Sequence, residues 1–180
     1  MKKLKFMLLL AAPISFVATA QNVSFGNFKV VEQEIIYQQV FQQDSITPAA
    51  LEKYYAAQTF VTNVAARADG VDFEITDLIV DYKKFQFSQV GTPLIIQTGK
   101  YSGKVSVGVR EGKYRVTMKA IQFTGNIGYK TISSRENMTN YATIKSATEL
   151  SQTWCTPSML GLLDKAFTDK VQFKKGKDDW

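Results

Sequence analysis

Residues 103–123 read GKVSVGVREGKYRVTMKAIQF, and the pattern predicts two strands folded back on each other at Glu111-Gly112. With a two-residue turn, Val109 faces Tyr114, Val107 faces Val116 and Val105 faces Met118. Side chains alternate along a strand, so these six share one face. Lys104, Ser106, Gly108 and Arg110 fall on the other face, opposite Lys119, Thr117, Arg115 and Lys113. A slip of one residue would drive Lys113 and Arg115 into the core, so the pattern admits only this register. Glu111 resists positive φ, which leaves the turn type less determined than the register. One apolar and one polar face suit an antiparallel sheet covered on one side.

The chain of 180 residues opens with Lys2, Lys3 and Lys5, followed by an apolar run over residues 6–17 that Pro13 interrupts. Ala18-Thr19-Ala20 then forms an A-x-A cleavage site, and the whole reads as a signal peptide over residues 1–20. The run is too short for a spanning helix, and no Cys follows the small residues to take a lipid. The chain is therefore expected to be exported, to the periplasm or beyond, with residues 21–180 forming a single α+β domain. Loss of the three signal lysines halves the formal charge of +6, which weakens the case for a polyanion partner made from charge alone. Cys155 is the single cysteine, so no intrachain disulfide forms. Asn22-Val23-Ser24 and Asn137-Met138-Thr139 match the glycosylation sequon, which carries little weight behind a signal of bacterial type.

Taken in order, residues 21–29 are expected to be a mobile leader and residues 34–41 a first strand rich in β-formers. Thr47 and Pro48 suit the N-cap and first position of a helix, with Ile46 and Leu51 placed as a hydrophobic staple. Leu51, Tyr54, Tyr55, Gln58, Val61 and Ala65 continue at helical spacing. Val71, Phe73 and Ile75 alternate with Asp72 and Glu74. The phase breaks at Thr76-Asp77, which predicts a bulge or a turn before Leu78, Val80 and Tyr82. Residues 83–91 read as an irregular connection with Phe85 and Phe87 packing back, and residues 93–101 as a strand. Residues 124–146 lack periodicity and are expected to form a long loop. Thr156-Pro157 repeats the helix-start signal before a final helical stripe, and residues 174–180 form a polar tail.

The expected architecture is a curved antiparallel sheet of about five strands with two helices on one face, in the order β-α-β4-α. In its signal peptide, in Ala49, Leu51, Tyr54 and Tyr55 of the first helix, and in residues 103–121 with their Glu111-Gly112-Lys113-Tyr114-Arg115 turn, the chain resembles a family of exported bacterial domains of unknown function with a TATA-box-binding-protein-like fold. The resemblance covers most of the mature chain and implies the fold. It brings no activity with it, because fold does not give function. The segment 124–146 is longer than a compact member needs.

The chain contains no histidine, which removes Ser-His and Cys-His nucleophilic sites and His-ligated metals. Cys155, just before the last helix, is explained by packing. Asp69, Asp72, Glu74 and Asp77 lack the spacing of an EF-hand and read as a solvated strand edge. No metal, cofactor or catalytic pair is indicated. The basic side chains Lys104, Arg110, Lys113, Arg115 and Lys119 are the candidate partner-binding set. An ordinary solvated face is the plainer account of them, since charged sheet exteriors are common. Lys104 and Lys119 stand directly opposed, a cost that a bound anion would relieve. The sequence thus reads as a non-catalytic envelope module. Its expected partner is another envelope protein, an anionic glycan or a lipid surface, and not nucleic acid. A small apolar-ligand carrier with a cavity between helix and sheet is the alternative, and such a cavity should reach roughly 300 Å³.

Overall fold

The structure is a computed structural model that describes residues 23–174. The signal peptide expected over residues 1–20 lies outside them, as does the polar tail beyond Lys174. The described chain is α+β, with strands β1 (Ser24–Phe25), β2 (Phe28–Val31) and β3 (Glu34–Gln42), helix α1 (Pro48–Ala56), strands β4 (Val61–Arg67) and β5 (Gly70–Ile79), and helix α2 (Leu94–Thr98). Then come β6 (Lys100–Arg110), β7 (Lys113–Ile127), β8 (Lys130–Asn137), α3 (Thr139–Ala142), β9 (Thr143–Ile144), β10 (Glu149–Leu150) and α4 (Leu160–Val171). Eight strands form one antiparallel sheet in the order β1-β2-β3-β7-β6-β5-β4, with β8 also paired to β7. A separate two-stranded sheet holds β9 and β10. The expectation of about five strands and two helices is therefore corrected, among the described residues, to a larger sheet and four helices.

The hairpin has the expected register, with Val109 paired to Tyr114, Val107 to Val116 and Val105 to Met118. Gly112 carries positive φ at the turn and Glu111 does not, as the resistance of a glutamate side chain to that region requires. The alternation breaks further along. A register shift after Ser102 faces Ala120 at φ 49°, and the Ala120 amide donates to Glu34 Oε1 at 2.6 Å. The bulge moves the buried positions of β7 from even (Tyr114, Val116, Met118) to odd (Ile121, Phe123). A second bulge in β5 lies between Ile75 and Leu78, with Asp77 at φ 52°, where the sequence shows its break in phase.

Strand β7 is the axis of the sheet. Along one edge it pairs with β6 over most of its length. Along the other, residues 113–118 pair with β3, and residues 122–127 pair with β8. One strand thus changes partner halfway along the same edge.

The buried face is aromatic. Phe167 of α4 packs against Phe28, Tyr37 and Tyr101 at ring-centroid distances of 5.7, 5.6 and 6.1 Å. Tyr55 of α1 lies 4.2 Å from Phe73, and its hydroxyl donates to the Val171 carbonyl at 2.5 Å. This hydrogen bond ties the first helix to the end of the last. The rings fill the space between α4 and the sheet where a carrier would need its cavity.

Five local expectations are corrected. The expected leader, residues 21–29, instead contributes β1 and the start of β2, because Phe28 is a core residue with no exposed surface. Helix α1 starts as expected, with Thr47 Oγ1 accepting the Ala50 amide at 3.2 Å. It stops at Ala56, however, and the β-branched Val61 and Thr62 pair with Ile75 and Glu74 as edge strand β4. Residues 94–98 form a short helix where a strand was expected, and the Tyr101 hydroxyl donates to the Ile95 carbonyl at 3.0 Å. Residues 124–146 are not a long loop: β7 runs on to Ile127, β8 returns along it, and α3 and β9 follow. Helix α4 begins at Leu160 rather than after Thr156, since it is the Thr156 carbonyl that accepts the Met159 and Gly161 amides.

The Thr47 cap is exposed and separable from the core. Thr47→Ala should lower stability by about 1 kcal/mol, seen as a lower urea midpoint at unchanged slope.

Candidate functional site

The cross-strand register assembles the site. Lys104 pairs with Lys119, Gly108 with Arg115 and Arg110 with Lys113, so the five predicted basic residues do share one face. All five side chains are exposed. None of them makes an ion pair or side-chain hydrogen bond with a described residue, whereas Arg67, Lys84, Arg135, Lys145 and Lys174 are all paired. Lys104 and Lys119 therefore remain opposed with no carboxylate in ion-pair contact, although Glu74 is the neighbour of Lys104 on the other side.

On its other side β6 meets β5. Asp72 pairs with Ser106, Glu74 with Lys104, and Gly70 with Gly108. The solvated strand edge expected at Asp72 and Glu74 is corrected: β5 lies between β6 and β4, and these carboxylates belong to the same sheet surface as the lysines. Charge runs across the strands, acidic on β5 and basic on β6 and β7, with the paired hydroxyl residues Ser106 and Thr117 among the cations. Asp72 Oδ2 is held by Arg67 Nε at 3.2 Å, while its Oδ1 is covered and has no hydrogen-bond partner. Glu74 Oε2 accepts from Asn63 Nδ2 at 3.0 Å.

This surface is hollowed. A pocket of about 380 Å³ is lined by Asp72, Glu74, Lys104, Ser106, Thr117 and Lys119 among others. A second of about 240 Å³ is lined by Gly108, Arg110, Lys113 and Arg115, and a third of about 120 Å³ by Ser102, Gly103 and Arg135. The sequence singled out the basic set but not its acidic flank. The alternation of Asp72 and Glu74 with Val71, Phe73 and Ile75 was the available signal, and it lacked only the pairing of β5 with β6.

The other candidates have structural settings. Cys155 is partly buried and packs against the core. Among the described residues no three His, Cys, Asp or Glu side chains gather as a metal site. The marked pKa displacements belong to buried tyrosines, led by burial, and to Asp169. Burial opposes ionisation of Asp169, but hydrogen bonds and charge from Lys84 and Lys174 hold its carboxyl below the usual range.

No family model matches the chain, and no curated protein matches it. Among solved structures, it is similar to a DUF4468 family protein from Bacteroides ovatus, with TM-score 0.43 and 14% identity over 81% of this chain and 84% of that one. It is also similar to a TBP-like protein from Parabacteroides distasonis, with TM-score 0.44 and 8% identity over 78% of this chain and 88% of that one. These are proteins of the kind that the sequence resemblance names, and neither likeness carries an activity across.

Proposed function

We propose that the chain is an exported, non-catalytic binding module that takes an anionic partner of the cell envelope on the outward face of β6 and β7. The observation that supports this reading is the set of five exposed cations, Lys104, Arg110, Lys113, Arg115 and Lys119, which make no ion pair with a described residue and line two adjoining pockets. An ordinary solvated face would tend to interleave signs on neighbouring positions. Here, among β5, β6 and β7, the acidic side chains are confined to β5, and β7 presents Lys113, Arg115 and Lys119 with no acidic residue among them. Arg115 and Lys119 lie two pleats apart, about 13–14 Å by strand rise, which suits a repeating anion better than a single small one. The carrier reading has no comparable support, because aromatic rings fill the space it needs.

The test is binding at low ionic strength to a panel of anionic surfaces, heparin-like polymer and anionic vesicles among them. Replacing Arg115 and Lys119 together by Gln should weaken binding about tenfold, given ~0.2–1 kcal/mol for each exposed charge contact. The melting temperature should hold, since neither side chain is buried. Added salt should weaken wild-type binding steeply. Equal binding by the double variant and the wild type would reduce the basic face to solvated surface.

A further inference from the structure

We propose that the partner is an extended acidic glycan, a hydroxyl-rich polymer carrying carboxylates, lying along β6 with Gly108 as the open floor of its track. This inference deepens the anionic-partner reading and rests on it.

The three hollows follow one another along a single strand. The first sits at Gly108 and Arg110, the second at Lys104 and Ser106, and the third at Ser102 and Gly103. The second and third share Glu74 and Lys104. From Arg110 to Ser102 the track measures about 26 Å by strand rise, a length for a chain and not for one sugar or one phosphate.

Gly108 is the second, independent observation. A glycine inside a strand weakens it and removes a side chain that could pack. Other glycines here are required: a Cβ on Gly70 would lie 1.8 Å from the Val107 carbonyl oxygen. Gly108 has no such requirement, because a Cβ there would meet nothing within 4 Å and its φ lies outside the left-handed region. The fold tolerates a side chain at this position and does without one. Such a gap in a strand floor fits the close approach of something from outside.

The charge pattern selects the chemistry. One wall of the track holds Glu74 and Asp72, the latter paired to Arg67, and the other holds Arg115 and Lys119. A polyphosphate would press anions against the acidic wall, and a flat lipid headgroup array could not reach the floor. A glycan with carboxylates along one edge sets them against Arg115 and Lys119 and donates hydroxyls to the acidic wall. Ser106 Oγ on the floor accepts from Arg67 Nη2 and Thr117 Oγ1 on the basic wall accepts from Gln38 Nε2, which leaves each hydroxyl its proton to donate to the polymer.

The experiment measures binding of the purified protein, at low salt, to polygalacturonate, galacturonic acid monomer, inorganic polyphosphate and phosphatidylglycerol vesicles. A Gly108→Ile variant is run in parallel to fill the track with a strand-favouring side chain. The expected result is binding of polygalacturonate, at least a hundredfold weaker binding of the monomer, and at least a tenfold loss in Gly108→Ile at unchanged melting temperature. If polyphosphate or vesicles bind as tightly as polygalacturonate, or if Gly108→Ile binds polygalacturonate like wild type, the glycan track is overturned and the anionic-partner reading stands. If none of the polymers or vesicles binds, both fall together.

Discussion

Between pH 10 and pH 12 the protein should lose its stability steeply, with tyrosinate absorbance rising together with unfolding and not ahead of it. Tyr37, Tyr55, Tyr101 and Tyr114 are buried at 0, 0, 0 and 1% exposure. Burial raises the pKa of each, because a phenolate loses its hydration in the core. Tyr114 is pushed up to about 12 even though its hydroxyl receives the Phe173 amide, a bond that favours the ionised form. Burial drives the other three further above the ordinary tyrosine value. The native state therefore keeps its protons where the unfolded chain releases them. The stabilisation is fully present below the unfolded value near 10 and is lost as pH climbs toward the folded values. Each such tyrosine removes about 1.4 kcal/mol per pH unit above 10, so four together consume a stability of about 5–15 kcal/mol within roughly one to three units. With no histidine in the chain, no side chain of ordinary pKa titrates between pH 6 and 8, and stability there should be flat. Four tyrosines ionising near pH 10 in a protein that stays folded would contradict this account.

Phe167→Ala should be the most damaging single truncation of the last helix, at about 3–5 kcal/mol. The ring has no exposed surface and touches rings from β2, β3 and β6 at once, through Phe28, Tyr37 and Tyr101. Aromatic pairs in tilted and edge-on geometry add to the area term. The neighbours cannot collapse into the void, because Tyr37 is held through its hydroxyl to Thr168 at 2.9 Å and to Gln39, and Tyr101 is held to the Ile95 carbonyl. For a domain of this size the melting temperature should fall by about 6–20 °C. A fall of only a few degrees would mean that α4 contributes little to the core.

What could be read in the chain followed from chemical contrast. The β6–β7 register was legible because its two faces differ completely, Val, Tyr and Met on one and Lys, Arg, Ser and Thr on the other. The start of α1 was legible because Thr47 and Pro48 each have one favourable role there. Residues 94–96 were not, since a short run of Leu, Ile and Ile has no period to separate helix from strand. Strand β8 was hidden for the opposite reason: Ile132 is its one buried hydrophobic residue, so its alternation is polar against polar. At the site the cations were visible on one hairpin, which is a local fact. The acidic wall depends on β5 lying beside β6, about 30 residues away in the chain, and only the fold supplies that neighbour. The open space above Gly108 likewise has no sequence signature.

The change of partner along β7 has a consequence for how the protein is made. Gln38 of β3 meets Thr117 of β7 across a separation of 79 residues, so β3 cannot be paired on that side until β7 has emerged. At about 5–20 residues per second the wait is roughly 4–16 s. Throughout it β2 covers one edge of β3 over residues 34–37, but the other edge, with Tyr37, Val40 and Phe41, stays open, the kind of edge that seeds aggregation. The strand that closes the sheet also ends that hazard. A nascent chain halted before residue 113 should therefore be an avid client of holdase chaperones, and one released with both β7 and α4 in place should not.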